Sequence, residues 1–417
     1  MTEKKIKVLT LGDMPLLASG VAIQTRYMIE GLLESGKFEV FSLGGAIQHG
    51  SYEAIRAHEN WVVQPVDGYG DRNIINDVIR QWKPDILWFM TDPRFYEWLW
   101  MMDNEIREHI PMVYYHVWDN YPYPLFNKKF YDSNDCIVTI SKLTSDIVRT
   151  VSPDVKECYI PHAVDPTVFK IRDKSESAAL IEGNPVLKDK FVCFWNNRNA
   201  RRKQSGTLVK WWKEFTDLEG VDASKVCLIM HTDPNDENGQ PLSQLAADFE
   251  LPPGSFSLST AKLPAEALAA FYNLADCTLN IADAEGFGLS TLESLYCGTP
   301  IIATVTGGLQ EQITDGETNF GFPLHPASSV LIGSQAVPYI YEDRVSSQDF
   351  LDAVYKMYKM SPEERQELGH KGRQHVLKNY AFDDYQKKWV LLLEDVHETF
   401  GSYETRKNYK SWDLQTL

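Results

Sequence analysis

The sequence lacks the features by which secreted, membrane-spanning and metal-binding proteins are usually recognised. Its six cysteines are scattered, with no Cys-x-x-Cys pair and no histidine cluster at ligand spacing. This arrangement is typical of buried free thiols in a reducing compartment rather than of a disulfide framework. No stretch reaches the roughly 18 apolar residues of a membrane-spanning helix, and the first apolar run is too short for a signal peptide. We therefore expect a cytoplasmic protein without stable membrane insertion.

Positive charge is also in short supply. The chain has 41 Lys and Arg against 58 Asp and Glu, a net charge of -17 at pH 7, and no basic tail. The net charge therefore disfavours broad electrostatic binding to nucleic acid or to an anionic membrane, although it is compatible with a local basic groove. The chain also contains no Asp-x-Asp triplet, so the usual carboxylate site for a catalytic divalent metal ion is missing.

What the sequence has instead is an alternation of short apolar runs and amphipathic stretches, with no internal repeat. Strand-like runs followed by helix-like stretches predict an α/β fold with doubly wound parallel sheets. In the first half the apolar runs lie at 6–11, 38–43, 85–90, 112–117 and 136–140, and the amphipathic stretches at 21–34, 73–82 and 95–109.

A second alternation follows a break in the segment 159–169, which contains two prolines. We therefore predict an N-terminal Rossmann-like domain at 1–165 and a C-terminal one at 166–380. A helix at about 381–417 is predicted to pack back on the first domain. Segments 234–254 and 315–338, where glycine and proline are frequent, are interpreted as surface loops.

The segment 275–304 carries the sharpest chemical pattern. An apolar run ends in a loop with Glu285, and Gly286 and Gly288 lead into a helix that contains Glu293. The two glycines allow close backbone approach to a ligand, and the first turn of the helix suits a phosphate. Carboxylates beside a bound phosphate are unfavourable unless they bind hydroxyl groups of the ligand. A structural alternative is that Glu293 lies on a helix face and Glu285 complements the helix dipole.

Here the sequence resembles a known family. EGFGLSTLE at 285–293 is similar to the paired-glutamate motif of the large retaining glycosyltransferase family that includes glycogen and sucrose synthases. The resemblance continues through YCGTPIIAT, GGLQEQI and DGETNFGF, and it is looser in the first hundred residues. It implies the GT-B fold, in which two Rossmann-like domains face each other across a central cleft.

The resemblance also assigns roles in donor binding. In the family the first glutamate, here Glu285, holds hydroxyls of the donor sugar, and the second, Glu293, chelates the ribose hydroxyls. The amides that follow the first glutamate meet the sugar and the phosphate, and in this chain they belong to Gly286, Phe287, Gly288 and Leu289.

Two cations are implied as a clamp for the donor diphosphate. In the segment NNRNARRKQ, Arg198 and Lys203 match the family's arginine and lysine. A guanidinium fork grips phosphate oxygens and an ammonium adds a movable point charge. We expect these two cations to replace a metal ion. The adjacent Arg201 and Arg202 are interpreted as part of a solvated loop.

The first domain contributes weaker candidates. His116 ends a predicted strand and resembles the histidine that meets the donor sugar. Its aromatic neighbours Trp118 and Tyr121 are candidates to stack on an acceptor, and Gly20 is the one candidate glycine of the loop after the first strand. The usual glycine pair there is Ser19-Gly20 in this chain.

The sequence therefore predicts a metal-independent retaining glycosyltransferase that uses a nucleotide diphosphate sugar, with UDP as the first choice of nucleotide and no cofactor. The acceptor is predicted to be a saccharide, and the alternative is a hydroxymethylated base in DNA; lipid-linked acceptors and protein side chains stay open. A non-catalytic sugar-nucleotide-binding protein is a further alternative. A nicotinamide dinucleotide oxidoreductase is disfavoured, because the loop after the first strand lacks GxGxxG spacing, and an epimerase would lack the paired glutamates.

Overall fold

The apolar runs form strands of two mainly parallel sheets in the computed structural model, which describes residues 4–181, 187 and 189–412. The strands are β1 (Ile6–Asp13), β2 (Phe38–Gly45), β3 (Ile55–His58), β4 (Trp61–Pro65), β5 (Ile86–Met90), β6 (Met112–His116), β7 (Cys136–Thr139), β8 (Lys156–Tyr159), β9 (Phe191–Asn196), β10 (Val226–His231), β11 (Phe256–Ser259), β12 (Cys277–Asn280), β13 (Ile301–Thr304), β14 (Gly321–Leu324), β15 (Ser328–Ile332) and β16 (Ile340–Arg344).

Helices alternate with these strands along the chain. They are α1 (Gly20–Glu34), α2 (Arg72–Trp82), α3 (Glu97–Trp100), α4 (Asp103–Arg107), α5 (Lys128–Asp132), α6 (Lys142–Val151), α7 (Lys174–Ala179), α8 (Ser205–Thr216), α9 (Leu242–Asp248), α10 (Ala265–Leu274), α11 (Leu289–Tyr296), α12 (Gln310–Ile313), α13 (Ser347–Lys359), α14 (Pro362–Asn379) and α15 (Phe382–Phe400). None of the helices within the described ranges is long and apolar enough to cross a membrane.

The chain divides into two units, and the break along the chain falls after His162. Unit 1 comprises Met1–His162, Ser334–Pro338 and Asp383–Leu417, and unit 2 comprises Ala163–Gly333 and Tyr339–Phe382. The sheet of unit 1 has the order β3-β4-β2-β1-β5-β6-β7-β8, parallel except between β3 and β4. Its central strands β5 and β6 are buried at every position, which explains their continuous apolar sequence.

The sheet of unit 2 is parallel and has the order β11-β10-β9-β12-β13-β14. This is the doubly wound order, in which the direction of strand addition reverses between β9 and β12. Ligands of such sheets bind at the carboxyl ends of the two strands that flank the reversal. In this unit the loop after β9 carries Arg198 and Lys203, and the loop after β12 carries Glu285.

The predicted helix at 95–109 is wrong as a single element. A 3-10 turn and the two short helices α3 and α4 occupy the segment, and Met102 with φ -116° separates the helices. Trp100 stacks on Phe130 with ring centroids 4.9 Å apart, and Ile106 is buried beyond the break. We infer that the break lets both side chains reach the core, which outweighs the propensity for one continuous helix.

The interpretation of 315–338 as a surface loop is also wrong. Strand β14 extends the sheet of unit 2 beside β13, and β15 pairs with β16 in an antiparallel hairpin. Residues 328–331 of β15 are exposed, so this strand has no buried apolar run by which it would be recognised.

The C-terminal helix is shorter than the predicted 381–417. It ends at Phe400 because Gly401 adopts φ +81°, a left-handed conformation that terminates helices. Residues 401–412 have no helix, and 413–417 lie outside the described residues. The helix lies against unit 1: Trp389 contacts Trp88 edge-on at 5.8 Å, and the hydroxyl of Tyr385 donates to the Gln24 carbonyl at 2.8 Å.

Candidate functional site

The loops after β9 and β12 bring Lys203 and Glu285 together. The ammonium of Lys203 donates to Oε2 of Glu285, and Arg202 lies 3.7 Å from the same oxygen. The Lys203 and Glu285 side chains are only 9% and 12% exposed. Removing either partner of such a buried pair would leave an uncompensated charge. The structure therefore joins two of the residues that the sequence assigns to one site.

Helix α11 begins at a tightly packed glycine. Gly288 precedes the helix with φ +89°, and a Cβ atom there would lie 2.4 Å from Cδ2 of Leu309. A Cβ atom on Gly308 would lie 2.6 Å from the Cα of Phe287, and the Gly308 amide donates to the Glu285 carbonyl at 3.0 Å. Glycine is thus required at both 288 and 308, where the loop that precedes α11 packs against the segment 308–309.

Gln312 braces the same loop, a role that sequence reasoning missed. Its side-chain nitrogen donates to the Phe287 carbonyl at 2.6 Å, and its oxygen accepts from the Thr291 hydroxyl at 2.6 Å. Gln312 is fully buried. The segment GGLQEQI supported the family resemblance, but no pattern in it indicates which side chain points at the loop. The side chain of Phe287 itself packs in the core, edge-on to Tyr380.

Glu293 lies in the second turn of α11, as the sequence predicts. Its Oε2 accepts a hydrogen bond from the Tyr272 hydroxyl at 2.6 Å, and that hydroxyl accepts one from Asn196 at 2.9 Å. Burial raises the pKa of Glu293 to about 7, against the lowering effect of Tyr272 and Asn196. The carboxylate is therefore costly to keep charged at neutral pH, which is expected of a group maintained for binding rather than for stability.

This pKa predicts how Glu293 affects stability. Its folded-state value of about 7 exceeds that of an unfolded glutamate, about 4.3. The free energy of unfolding should therefore fall as pH rises from about 4.3 to about 7 and then level off. We expect Glu293→Gln to raise Tm relative to the wild type at pH 8.5 and to change it little at pH 4.5, measured by scanning calorimetry. The exposed Glu219→Gln is the matched control; an equal Tm change at both pH values would contradict the assignment.

Arg198 is held by Asp236. Its Nε and Nη2 donate to the two oxygens of that carboxylate at 2.6 and 3.2 Å, and this pairing holds the pKa of Asp236 below its usual range. Asp236 belongs to the segment HTDPND at 231–236, which spans the end of β10 and the start of the loop after it. The Arg198 side chain is 65% exposed, so it can exchange its partner at little cost.

Arg201 is exposed to solvent, with 62% of its side chain accessible, but its guanidinium also binds a buried carboxylate, which the sequence did not predict. Its Nη1 donates to Oε2 of Glu342 at 2.8 Å, and Nη2 bonds the other oxygen. Glu342 is only 3% exposed and lies on β16, in a stretch that sequence reasoning did not connect with the site. In YIYEDR three aromatic or aliphatic residues precede three charged ones, so the segment shows no period-2 alternation that would place Glu342 on a buried face.

Unit 1 holds the remaining candidates. His116 ends β6 and is fully buried, with Nε2 2.7 Å from the Tyr131 hydroxyl. Burial lowers the pKa of His116 to about 3, so its imidazole is neutral near pH 7. Within the described part of the chain its Nδ1 has no hydrogen-bond partner. Gly20 is exposed at the first position of α1, where Ser19 caps the helix by accepting from the Ala22 amide at 3.1 Å.

The two aromatic candidates differ in exposure. Trp118 is 5% exposed and its indole donates to the Asn120 carbonyl at 2.9 Å. Tyr121 is partly exposed, and its hydroxyl shares Oδ2 of Asp146 with the hydroxyl of Tyr123, at 2.6 and 2.9 Å. Of the two predicted acceptor residues, Tyr121 is therefore the one with an accessible ring.

The basic residues of unit 1 that would favour a DNA acceptor have acidic partners. Lys128 is paired with Asp132 at 3.0 Å and Lys129 with Glu97 at 3.4 Å, and Arg26 lies 4.0 Å from Glu30. They do not form a surface of one sign. Across the described residues there is no group of three or more His, Cys, Asp or Glu placed to hold a metal ion.

Residues 235–375 match the family described as glycosyl transferases group 1. The trehalose synthase of Pyrococcus horikoshii is 24% identical over 246 residues, which cover 58% of this chain and 53% of that enzyme. The chain thus spans about half the length of that relative. The solved structures that resemble the chain have the GT-B fold.

Over residues 235–375 the chain is thus similar to the group 1 glycosyltransferases. Sucrose-phosphate synthase from Thermosynechococcus elongatus superposes with a TM-score of 0.75 at 16% identity, over 95% of this chain and all of that structure. Anabaena HepE in complex with UDP-glucose has a TM-score of 0.70 at 13% identity, over 94% of this chain and all of that structure. The matched family segment contains α11 with Glu293 and the loop with Glu285, and the cation loop at 198–203 precedes it.

Proposed function

We propose that this chain transfers a sugar from a nucleotide diphosphate sugar to an acceptor hydroxyl, with retention at the anomeric carbon and without a metal ion. The observation that carries the proposal is the buried Lys203–Glu285 pair at the reversal point of a doubly wound sheet. Glu293 lies on the helix that begins beside this pair. The similarity of residues 235–375 to the group 1 glycosyltransferases supports the same class of reaction.

The candidate site residues of unit 2 are each assigned a role that suits the chemistry of the side chain or amide. Glu293 accepts hydrogen bonds from the two ribose hydroxyls, and Glu285 from hydroxyls of the donor sugar. Lys203 has three N–H donors, so it can keep its bond to Glu285 and donate to a phosphate oxygen. Arg198 exchanges Asp236 for the diphosphate, where its planar fork binds two oxygens. The amides of Gly286, Phe287, Gly288 and Leu289 meet the sugar and phosphate at the start of α11.

Transition-state stabilisation follows from the two cations. As the bond to the anomeric carbon breaks, negative charge grows on the leaving phosphate, and Arg198 and Lys203 bind that charge more strongly than the ground state. The leaving phosphate takes the proton of the acceptor hydroxyl, and an oxocarbenium-like species is shielded on one face. This mechanism needs no protein base.

The proposed donor is UDP-glucose, since a solved structure of the same fold holds it. We propose a saccharide acceptor bound by unit 1, because the names of a relative and of a structural neighbour are those of enzymes that make disaccharides or their phosphates. We assign His116, as a neutral imidazole, to recognition of the donor sugar, Gly20 at the start of α1 to recognition of the diphosphate, and Tyr121 to stacking on the acceptor.

A nucleotide-release assay tests this proposal. The full chain is incubated with UDP-, GDP- and ADP-sugars in excess chelator, alone and with pooled saccharides or hydroxymethylated DNA. We expect release from a UDP-sugar that rises with a saccharide pool and is unaffected by chelator. Loss of release with chelator and rescue by manganese would contradict metal independence. Tight UDP binding without release in any pool would instead indicate a non-catalytic binding protein.

A further inference from the structure

The hairpin of β15 and β16 lies against both loops of the donor site. The backbone amide of Asp343 donates to the Asp283 carbonyl at 2.8 Å, and its carboxylate accepts from the Thr306 hydroxyl at 2.7 Å. These bonds fix β16 beside the loop that leads to Glu285. None of the roles assigned above requires the hairpin.

Charged residues of β16, the buried Glu342 and the partly exposed Arg344, connect that loop with the turn that carries Lys203. Arg344 donates to Oδ2 of Asp283 at 2.5 Å and to Oε2 of Glu342 at 2.7 Å. Glu342 in turn binds both terminal nitrogens of Arg201. The chain of contacts runs from Asp283 through β16 to Arg201, two residues before Lys203.

A second, direct connection completes the arrangement. Gln204, immediately after Lys203, donates to Oδ2 of Asp283 at 2.7 Å, and the Asp283 amide donates to the Arg202 carbonyl at 2.8 Å. Side chains of Asp283 and Glu342 are 2% and 4% exposed. Carboxylates buried to this degree are costly unless fully paired, so the network has one well-defined arrangement, and that arrangement sets the distance between Lys203 and Glu285.

We propose that Glu342 and Arg344 are positioning residues, which hold the turn at 201–204 against the loop at 283–285. They thereby fix the position of Lys203 relative to Glu285. The inference rests on the proposed function. Neither residue touches the donor; both act through Asp283 and Arg201. These two residues of β16, rather than the hairpin as a whole, thus act on catalysis through the position of Lys203 and Glu285.

The test compares Glu342→Gln and Arg344→Gln with the wild type, measuring kcat with the donor found by nucleotide release, the Kd of UDP and Tm. We expect kcat to fall about 10- to 100-fold, as for a displacement of the reacting groups by about 1 Å. The Kd of UDP should rise no more than about threefold, because Glu293 on α11 keeps its own partners. Arg344→Lys should recover part of the lost kcat, since the ammonium can still reach one of the two carboxylates.

Two further variants serve as a coupling test and as a control. Arg201→Ala changes a side chain that is 62% exposed, so it should fold normally, and its kcat effect should be non-additive with that of Glu342→Gln. Leu331→Ser, on the same hairpin and 59% exposed, is the control that leaves kcat unchanged.

Unchanged kcat in both β16 variants would overturn the inference, and so would a parallel loss of kcat, UDP affinity and Tm, which would mark the network as structural only. Failure of the proposed function is separate: the wild type itself would then release no nucleotide from any donor.

Discussion

Glu293→Gln is expected to weaken the binding of UDP about 100-fold or more. The substitution keeps the size of the side chain but removes the charge that accepts two ribose hydroxyls. Hydrogen bonds to a charged group are worth about 1.5–3 kcal/mol each, and a loss of about 3 kcal/mol corresponds to a change in Kd of more than 100-fold. Isothermal titration with UDP measures the effect directly.

The pH dependence of the same binding separates charge from shape. Glu293 has a pKa of about 7 in the free protein, so protonation should weaken UDP binding in the wild type as pH falls below about 7. The Gln variant should lack that dependence. Glu219→Gln, an exposed substitution of the same kind, should bind UDP as the wild type does. Wild-type affinity in Glu293→Gln would remove Glu293 from the donor site.

Arg198→Ala is expected to reduce kcat about 100-fold while the Kd of UDP rises less than about tenfold. A group that binds charge developing in the transition state typically contributes about 10²–10³ in kcat. The side chain is exposed and its pairing with Asp236 lies near the surface, so Tm should hardly change. Steady-state kinetics with the donor found by nucleotide release, together with UDP titration, gives both numbers.

Two variants accompany that measurement. Arg198→Lys should recover only part of kcat, because an ammonium lacks the fork that binds two phosphate oxygens. Lys262→Ala, an exposed substitution in the same unit, should leave kcat unchanged. An Arg198→Ala enzyme that loses UDP affinity as strongly as it loses kcat would place Arg198 in ground-state binding rather than in transition-state stabilisation.

The central strands of both sheets were predictable because they are buried on both faces. The apolar runs predicted at 85–90 and 112–117 correspond to β5 and β6 within one residue. Strands β3 and β15 escaped prediction because every position of β3 and most of β15 is exposed. Their sequences, IRAH and SSVLI, contain no apolar run longer than three residues. The break between α3 and α4 depends on aromatic contacts with residues distant in sequence, which periodicity alone does not reveal.

The part of the candidate site that lies within one short segment of the sequence was predictable. The motif at 285–293 contains both glutamates and the glycines, so their placement around α11 follows from the sequence. Glu342 and Arg344 were missed because only the folded structure brings β16 into contact with Asp283 and Arg201. The buried state of His116 was missed for the same reason, since it depends on packing against Tyr131.

A crystal structure of the full chain with UDP tests the central claim most directly. We expect the ribose hydroxyls at about 2.6–3.2 Å from the carboxylate of Glu293, and the diphosphate beside Lys203 and Arg198, with Arg198 released from Asp236. A nucleotide bound elsewhere, or no nucleotide at a concentration that saturates binding in solution, would contradict the assignment of the donor site to the loops after β9 and β12.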